Sequence, residues 1–145
     1  MSDNVRTAKD NYEAWNNRDF DAFSETMANG AIVIVGSGQQ LEGREGARQF
    51  AEMWANGFPD GKVEIDNVID GGDHVVIEYT GRGTQTGTLA SPMGEIAPTN
   101  RPVTLQLCDV WKFEGGSAKS VATYFDTGSL MTQLGLMPEA VGATT

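Results

Sequence analysis

The sequence predicts an α+β domain in which three N-terminal helices pack on one face of a curved antiparallel sheet. Two observations lead there. Apolar residues recur with a period near 3.6 as far as Trp54, and with a period of 2 from Lys62 onward. The 18 glycines are scattered as turn punctuation between these segments and do not gather into a linker. A chain of 145 residues suits one domain, 1–145, with residues 138–145 as a flexible tail.

The first helix carries Val5, Ala8, Tyr12 and Trp15 on one stripe. Asn16-Asn17-Arg18 interrupts it, and Asp19 can cap a second helix bearing Phe20, Phe23 and Met27. Asn29-Gly30 ends that helix, and Ala31 to Val35 reads as a short buried strand. Gly43 opens a third helix with Ala47, Phe50, Ala51 and Trp54 along one face, closed by Gly57-Phe58-Pro59-Asp60. Two strands follow, with Val63, Ile65 and Ile69 on one and Val75, Ile77 and Tyr79 on the next. A tight Gly71-Gly72 turn would set Ile65 opposite Glu78, so a longer loop over Asp70–His74 or a bulge is expected. The second of these strands is expected to run on to Leu89, and Ala90 to Asn100 to form a loop. Arg101 to Phe113 and Ala118 to Phe125 form a final hairpin around Gly115-Gly116. A regular ladder from that turn sets Leu107 opposite Tyr124 and Leu105 opposite Asp126. A short helix, Leu130 to Leu134, ends at Gly135.

Charge and composition narrow the function. Twenty acidic residues against ten basic ones give a net charge of −10, which opposes binding to phosphate backbones and anionic lipid surfaces. Nucleic acid and membrane are therefore not expected partners. The longest apolar run, Ala31 to Val35, is far too short to span a bilayer, and the N-terminus lacks a signal-peptide pattern, so a cytoplasmic location is expected. A single cysteine, Cys108, and a single histidine, His74, argue against a disulfide and against a Cys- or His-rich metal site. Cys108 reads as a buried apolar thiol and His74 as a solvated loop residue. Gly36-Ser37-Gly38 lacks the third glycine and the βαβ setting of a dinucleotide site.

A sheet bent around helices leaves a hollow, and one strand points chemistry into it. Along Val103, Leu105, Leu107, Asp109, Trp111 and Phe113, every second residue is apolar except Asp109. A carboxylate there either lines a cavity or is paired within the core. Desolvation would raise its pKa and suit it to general-base work near neutral pH. The regular hairpin ladder adds Ser120, Ala122, Tyr124 and Asp126 to the same face. Asp126 has two readings, an acid/base in the cavity or the N-cap of the last helix, with Thr127 as the alternative cap. Tyr12 and Trp15 are core residues by default and would equally wall a pocket for an aromatic ligand. Gln85, between small residues in Gly83-Thr84-Gln85-Thr86-Gly87, lies where a ligand could come close or where a strand bulges.

Four stretches resemble the SnoaL-like polyketide cyclases of the NTF2-like superfamily. They are Tyr12 to Asp21, Leu41-Glu42-Gly43-Arg44-Glu45-Gly46-Ala47 through Phe58-Pro59-Asp60, Ala97 to Val103, and Tyr124-Phe125-Asp126-Thr127-Gly128-Ser129-Leu130-Met131-Thr132-Gln133-Leu134-Gly135-Leu136. Gln85 stands where family cyclases often have histidine. The resemblance implies an NTF2-like cone and an intramolecular aldol condensation on a hydrophobic, aromatic carbonyl substrate, with no metal or organic cofactor. It implies Asp126 as the general acid/base, with Tyr12, Trp15, Gln85, Leu107, Asp109 and Tyr124 as pocket residues, and a homodimer or homotetramer. The alternatives are a binding module with an inert pocket, or an isomerase, hydrolase or dehydratase on the same fold.

Overall fold

A computed structural model describes residues 2–91 and 94–137. The proposed tail, 138–145, lies outside the described residues.

The helices form where the apolar stripes fall. Helix α1 spans Asp3–Asn16, capped by the Ser2 hydroxyl, and buries Val5, Ala8, Tyr12 and Trp15. Arg18, at φ 58°, turns the chain, and Asp19 caps α2, Phe20–Glu25, by accepting from the Ala22 amide. Strand β1, Ala31–Ile34, turns into β2, Gln39–Glu42, which feeds α3, Gly43–Gly57. Then come β3 (Lys62–Asp70), β4 (His74–Thr84), β5 (Leu89–Ser91), β6 (Gly94–Ile96), β7 (Pro102–Glu114), β8 (Ser117–Phe125) and α4 (Thr127–Gln133).

Six strands make one sheet in the order β2-β1-β8-β7-β4-β3, while β5 and β6 form a separate hairpin. All neighbours in the large sheet are antiparallel except β1 and β8, which run parallel. The α+β class and the antiparallel meander are as expected from sequence. Three elements differ. Strand β2 was not expected, because Gln39-Gln40-Leu41-Glu42 has one apolar residue and pairs only along β1. Strand β4 stops at Thr84, not Leu89, where the Thr84 amide donates to Asp60 and the Gln85 amide donates instead to the Arg101 carbonyl. The segment expected as a loop from Ala90 contains part of the β5–β6 hairpin.

Of the two devices expected to keep the apolar faces together, the β3–β4 pair uses the bulge, since Asp70 and His74 lie within the strands and the connection is shorter than the Asp70–His74 loop expected. Asp70 pairs with Val75 across the loop, and a bulge at Asp66 brings Ile65 opposite Tyr79. The final hairpin has a bulge that the regular ladder does not allow for. Phe113 pairs with Ala118, but Lys112 pairs with Ser120, so exposed Lys119 is looped out. Every residue of β8 beyond it faces the side opposite to the one expected. Asp109 is opposite Thr123, and Leu107 is opposite Phe125. The large apolar residues Val121 and Phe125 thereby turn inward, and Tyr124 turns out.

Two clusters form the core. The larger lies between α1–α3 and the inner sheet face and centres on Trp111, Met27, Ile77 and Phe113. The smaller closes one end of the cone with Phe58, Leu89, Val103, Leu105, Leu130 and Leu134. The β5–β6 hairpin reaches α3 through a close backbone approach at Gly87, whose amide donates to the Gly57 carbonyl at 3.3 Å. A Cβ on Gly87 would sit 1.9 Å from the Asn56 carbonyl oxygen, so only glycine fits. No helix among the described residues is long and apolar enough to cross a membrane.

Gly87→Ala should therefore lower the stability of the whole domain by about 1–3 kcal/mol through backbone displacement. Urea denaturation measures it. An unchanged midpoint would show that the hairpin does not need this contact.

Candidate functional site

The helices do not fill the cone. A cavity of about 860 Å³, counted out to its open mouth, lies between them and the inner sheet face. Trp15, Phe23, Phe50, Trp54 and Phe58 wall it from the helical side, and Leu105, Leu107, Trp111 and Val121 wall it from the sheet. The aromatic rings brace one another. Trp54 packs edge-on to Phe125 with centroids 5.5 Å apart, and Tyr12 packs edge-on to Tyr79 at 4.9 Å.

Among the described residues one carboxylate lines this cavity, Asp109, and only 5% of its surface is exposed. Strand alternation puts it there. It occupies an inward position of β7 opposite Ile77 of β4 and Thr123 of β8. The Tyr12 hydroxyl donates to its Oδ2 at 2.6 Å, and the Tyr79 hydroxyl donates to its Oδ1 at 3.1 Å. Thr123 stands opposite it in the β7–β8 ladder, and its hydroxyl also favours the charged carboxylate. Trp111 Nε1 donates to the Tyr12 oxygen at 3.0 Å, so the polar chain runs from Trp111 through Tyr12 to Asp109.

Burial pushes the Asp109 carboxyl up to about 6, while the hydrogen bonds from Tyr12, Tyr79 and Thr123 pull the other way. Burial also drives both tyrosine hydroxyls well above their ordinary range, and the neighbouring Asp109 charge adds to the effect. At neutral pH the group is thus a carboxylate ringed by neutral hydroxyls. An aspartate tuned to this range can take a proton from carbon and return it to oxygen.

The structure brings together four of the residues expected from sequence: Tyr12, Trp15, Leu107 and Asp109 all line the cavity. Trp15 also donates its indole N–H to the Ala51 carbonyl at 3.1 Å, which fixes its ring against α3. Three others lie elsewhere. Tyr124 is 46% exposed and pairs with Cys108 across the ladder, because the Lys119 bulge turns it to the outer face. Asp126 is exposed and caps α4 by accepting from the Ser129 amide at 3.1 Å. It is not among the lining residues, and the bulge removes the face-sharing with Asp109 that the regular ladder implied.

Gln85 is fully buried but acts as a strut. Its Nε2 lies within bonding distance of the carbonyls of Gly87, Ile96 and Ala97, and its Oε1 accepts from the Thr99 amide and hydroxyl. These bonds tie the end of β4 to the segment leading into β7, leaving the amide committed to backbone. Cys108 lies half-buried on the outer face, not buried, and its thiol is pushed up by partial burial and by Asp109. His74 is solvated as expected and contacts Asp73.

Sequence reasoning did not assign Tyr79 and Thr123 to the site. Tyr79 was legible as an inward residue of β4, but its hydroxyl partner depended on the β4–β7 register. Thr123 needed the bulge. The size pattern held a signal for that bulge, since a regular ladder would leave Val121 and Phe125 in solvent while turning Ser120 and Ala122 inward.

The fold is the cone-shaped one of solved structures described as NTF2-like and as having a ketosteroid isomerase-like fold. The chain belongs to the SnoaL-like domain family, whose profile matches residues 8–121. No curated protein matches it at a significant level. Among solved structures it is similar to a candidate SnoaL-like polyketide cyclase from Jannaschia sp. CCS1, at 25% identity and TM-score 0.81, covering 94% of each chain. It is similar to IdmH, a candidate polyketide cyclase from Streptomyces antibioticus, at 24% identity and TM-score 0.74, covering 91% of this chain and 98% of that one. It is also similar to AclR, a candidate hydroxylase from Streptomyces galilaeus, at 18% identity and TM-score 0.78, covering 100% and 95%. The family supports a cyclase-like enzyme, and the last two likenesses speak for the fold alone.

The raised Asp109 pKa has a stability consequence with a definite sign. The folded protein binds this proton more tightly than the unfolded chain does, so the favourable contribution is complete below the ordinary value of 3.8 and lost as pH rises to about 6 and beyond. Relative to Asp109→Asn, which does not titrate, the native protein should lose roughly 2–3 kcal/mol between acidic and neutral pH. Urea denaturation of both proteins across this range measures the difference. A constant difference would contradict the burial argument.

Proposed function

We propose that this protein is a cofactor-independent, cyclase-like enzyme that performs acid/base chemistry on a hydrophobic, aromatic carbonyl substrate, with Asp109 as the general acid/base. The observation that carries the reading is a single carboxylate, buried in an aromatic-walled cavity and pushed to about 6. The family points to the reaction class, and the cavity's apolar lining favours the substrate class.

The reaction follows from the charge state. Asp109, ionised at neutral pH, removes a proton from the carbon next to a substrate carbonyl. The C–H electron pair passes into the enolate and the proton forms an O–H bond on Asp109. The enolate carbon attacks a second carbonyl held close to it by the cavity walls, which replaces an encounter in solution by a fixed approach. Asp109 then returns its proton to the new alkoxide. The role that the family resemblance gives to Asp126 passes to Asp109 in this reading, because Asp126 is engaged as a helix cap outside the cavity.

2-Tetralone, an aromatic ketone with acidic α-protons, tests the first step without knowledge of the natural substrate. In D₂O the protein should accelerate α-proton exchange, followed by proton NMR, and the rate should rise with pH through about 6. Asp109→Asn should lower the rate about 10²-fold or more, and Asp126→Asn should leave it within a few-fold. The opposite pattern would return the role to Asp126. Saturable binding of 2-tetralone with no accelerated exchange would favour the inert binding module.

A further inference from the structure

The two tyrosines that hold Asp109 are not equivalent, and the difference assigns them separate tasks. Indole N–H is a donor only. Trp111 therefore forces the Tyr12 oxygen to accept, at 3.0 Å, and the Tyr12 hydrogen has to point at Asp109 Oδ2, 2.6 Å away. Both sides of that hydroxyl are committed. The Tyr79 hydroxyl makes the longer bond, 3.1 Å to Oδ1, and has no second hydrogen-bond partner among the described residues. Tyr79 also lines the cavity.

This asymmetry decides which oxygen of Asp109 takes up a proton. Protonation at Oδ2 would strand the Tyr12 hydrogen, because its oxygen would then accept from both Trp111 and Asp109. A buried donor without an acceptor is costly. Protonation at Oδ1 asks only that the Tyr79 hydroxyl rotate, and a ligand oxygen in the cavity can accept the hydrogen it frees.

We propose that Tyr79 is the oxyanion donor of this site, released to the substrate enolate oxygen by proton uptake at Asp109 Oδ1. This rests on the reading of Asp109 as the base. One C–H bond breaks, one O–H bond forms on Oδ1, and the electron pair settles on the carbonyl oxygen. As Asp109 loses its charge it loses its hold on the Tyr79 hydrogen, and the enolate gains charge at the same moment. The same donor thus serves the carboxylate before the step and the enolate after it. The geometry matches the substrate unit. The acidic carbon and the carbonyl oxygen of an enolisable ketone are two bonds apart, and Oδ1 and the Tyr79 oxygen are neighbours at hydrogen-bond distance. Tyr12, fixed by Trp111, is a positioning residue that holds the other carboxylate oxygen in place.

The 2-tetralone exchange assay separates these tasks. Tyr79→Phe should lower kcat about 10²-fold with KM little changed, as loss of one oxyanion donor does. Both substitutions remove a donor to the carboxylate and should shift the pH midpoint upward, but Tyr12→Phe should keep the plateau kcat reached above that midpoint, whereas Tyr79→Phe should lower the plateau itself. An undiminished kcat in Tyr79→Phe, with Asp109→Asn inactive, would overturn this inference and leave the proposed function standing. A loss confined to Thr123→Val would move the donor role to Thr123 and overturn it as well. Full activity of Asp109→Asn would remove the proposed function itself.

A second measurement needs no altered site. In the native protein labelled at tyrosine Cζ, addition of 2-naphthol, a planar enol mimic, should move the Tyr79 resonance and leave that of Tyr12 in place. Movement of Tyr12 with Tyr79 unaffected would contradict the assignment.

Discussion

A carboxylate with almost no exposed surface, lining an aromatic-walled cavity, would be pushed still higher if burial acted alone. Donated hydrogen bonds from Tyr12, Tyr79 and Thr123 oppose that tendency and bring Asp109 to about 6. This balance between desolvation and donation is the constraint around which the cavity is built. Removing the apolar walls would return the carboxyl to an ordinary, weakly basic value. Removing the hydroxyls would push it higher and leave less of it ionised at neutral pH. Both halves are needed for a base that works near pH 7.

The scaffold supplies those halves from distant parts of the chain. Tyr12 comes from the first helix, Tyr79 from β4, Asp109 and Trp111 from β7, and Thr123 from β8. Three registers must hold together for the hydroxyls to converge. The bulge at Asp66 leaves Ile65 facing Tyr79, and the uninterrupted β4–β7 ladder sets Ile77 against Asp109 and Tyr79 two pairs further along, on the same face. Looping out Lys119 turns Thr123 inward. Gln85 contributes at a distance, since its buried amide ties the end of β4 to the segment leading into β7. Its value is to the frame of the cavity, and its side chain has no capacity left for a ligand.

Much of this was legible in the sequence. The helix stripes, the Asp19 cap, the switch to period 2 and the lone Asp109 on an apolar strand follow from local rules, because each depends on residues a few positions apart. The candidate site was legible as far as those rules reach, which is to Tyr12, Trp15, Leu107 and Asp109. Tyr124 was misplaced by a single looped-out residue, since the side-chain period of 2 turns a one-residue slip into a change of face. For Asp126 the sequence left two readings open, cap and cavity, and the structure shows the cap. Strand β2 and the β5–β6 hairpin carry little apolar pattern of their own and form because neighbours offer them backbone partners. Family resemblance located the fold and the SnoaL-like family, but the carboxylate inside the cavity is the one the strand pattern singled out.

The most direct test of the account is the titration of the Asp109 carboxyl, followed by carbon NMR of the labelled side chain with Asp109→Asn for assignment. The account predicts a midpoint near 6 that moves when an aromatic ketone occupies the cavity. A midpoint near the ordinary aspartate value of about 3.9, insensitive to ligand, would mean that water reaches the carboxylate freely and would contradict the account.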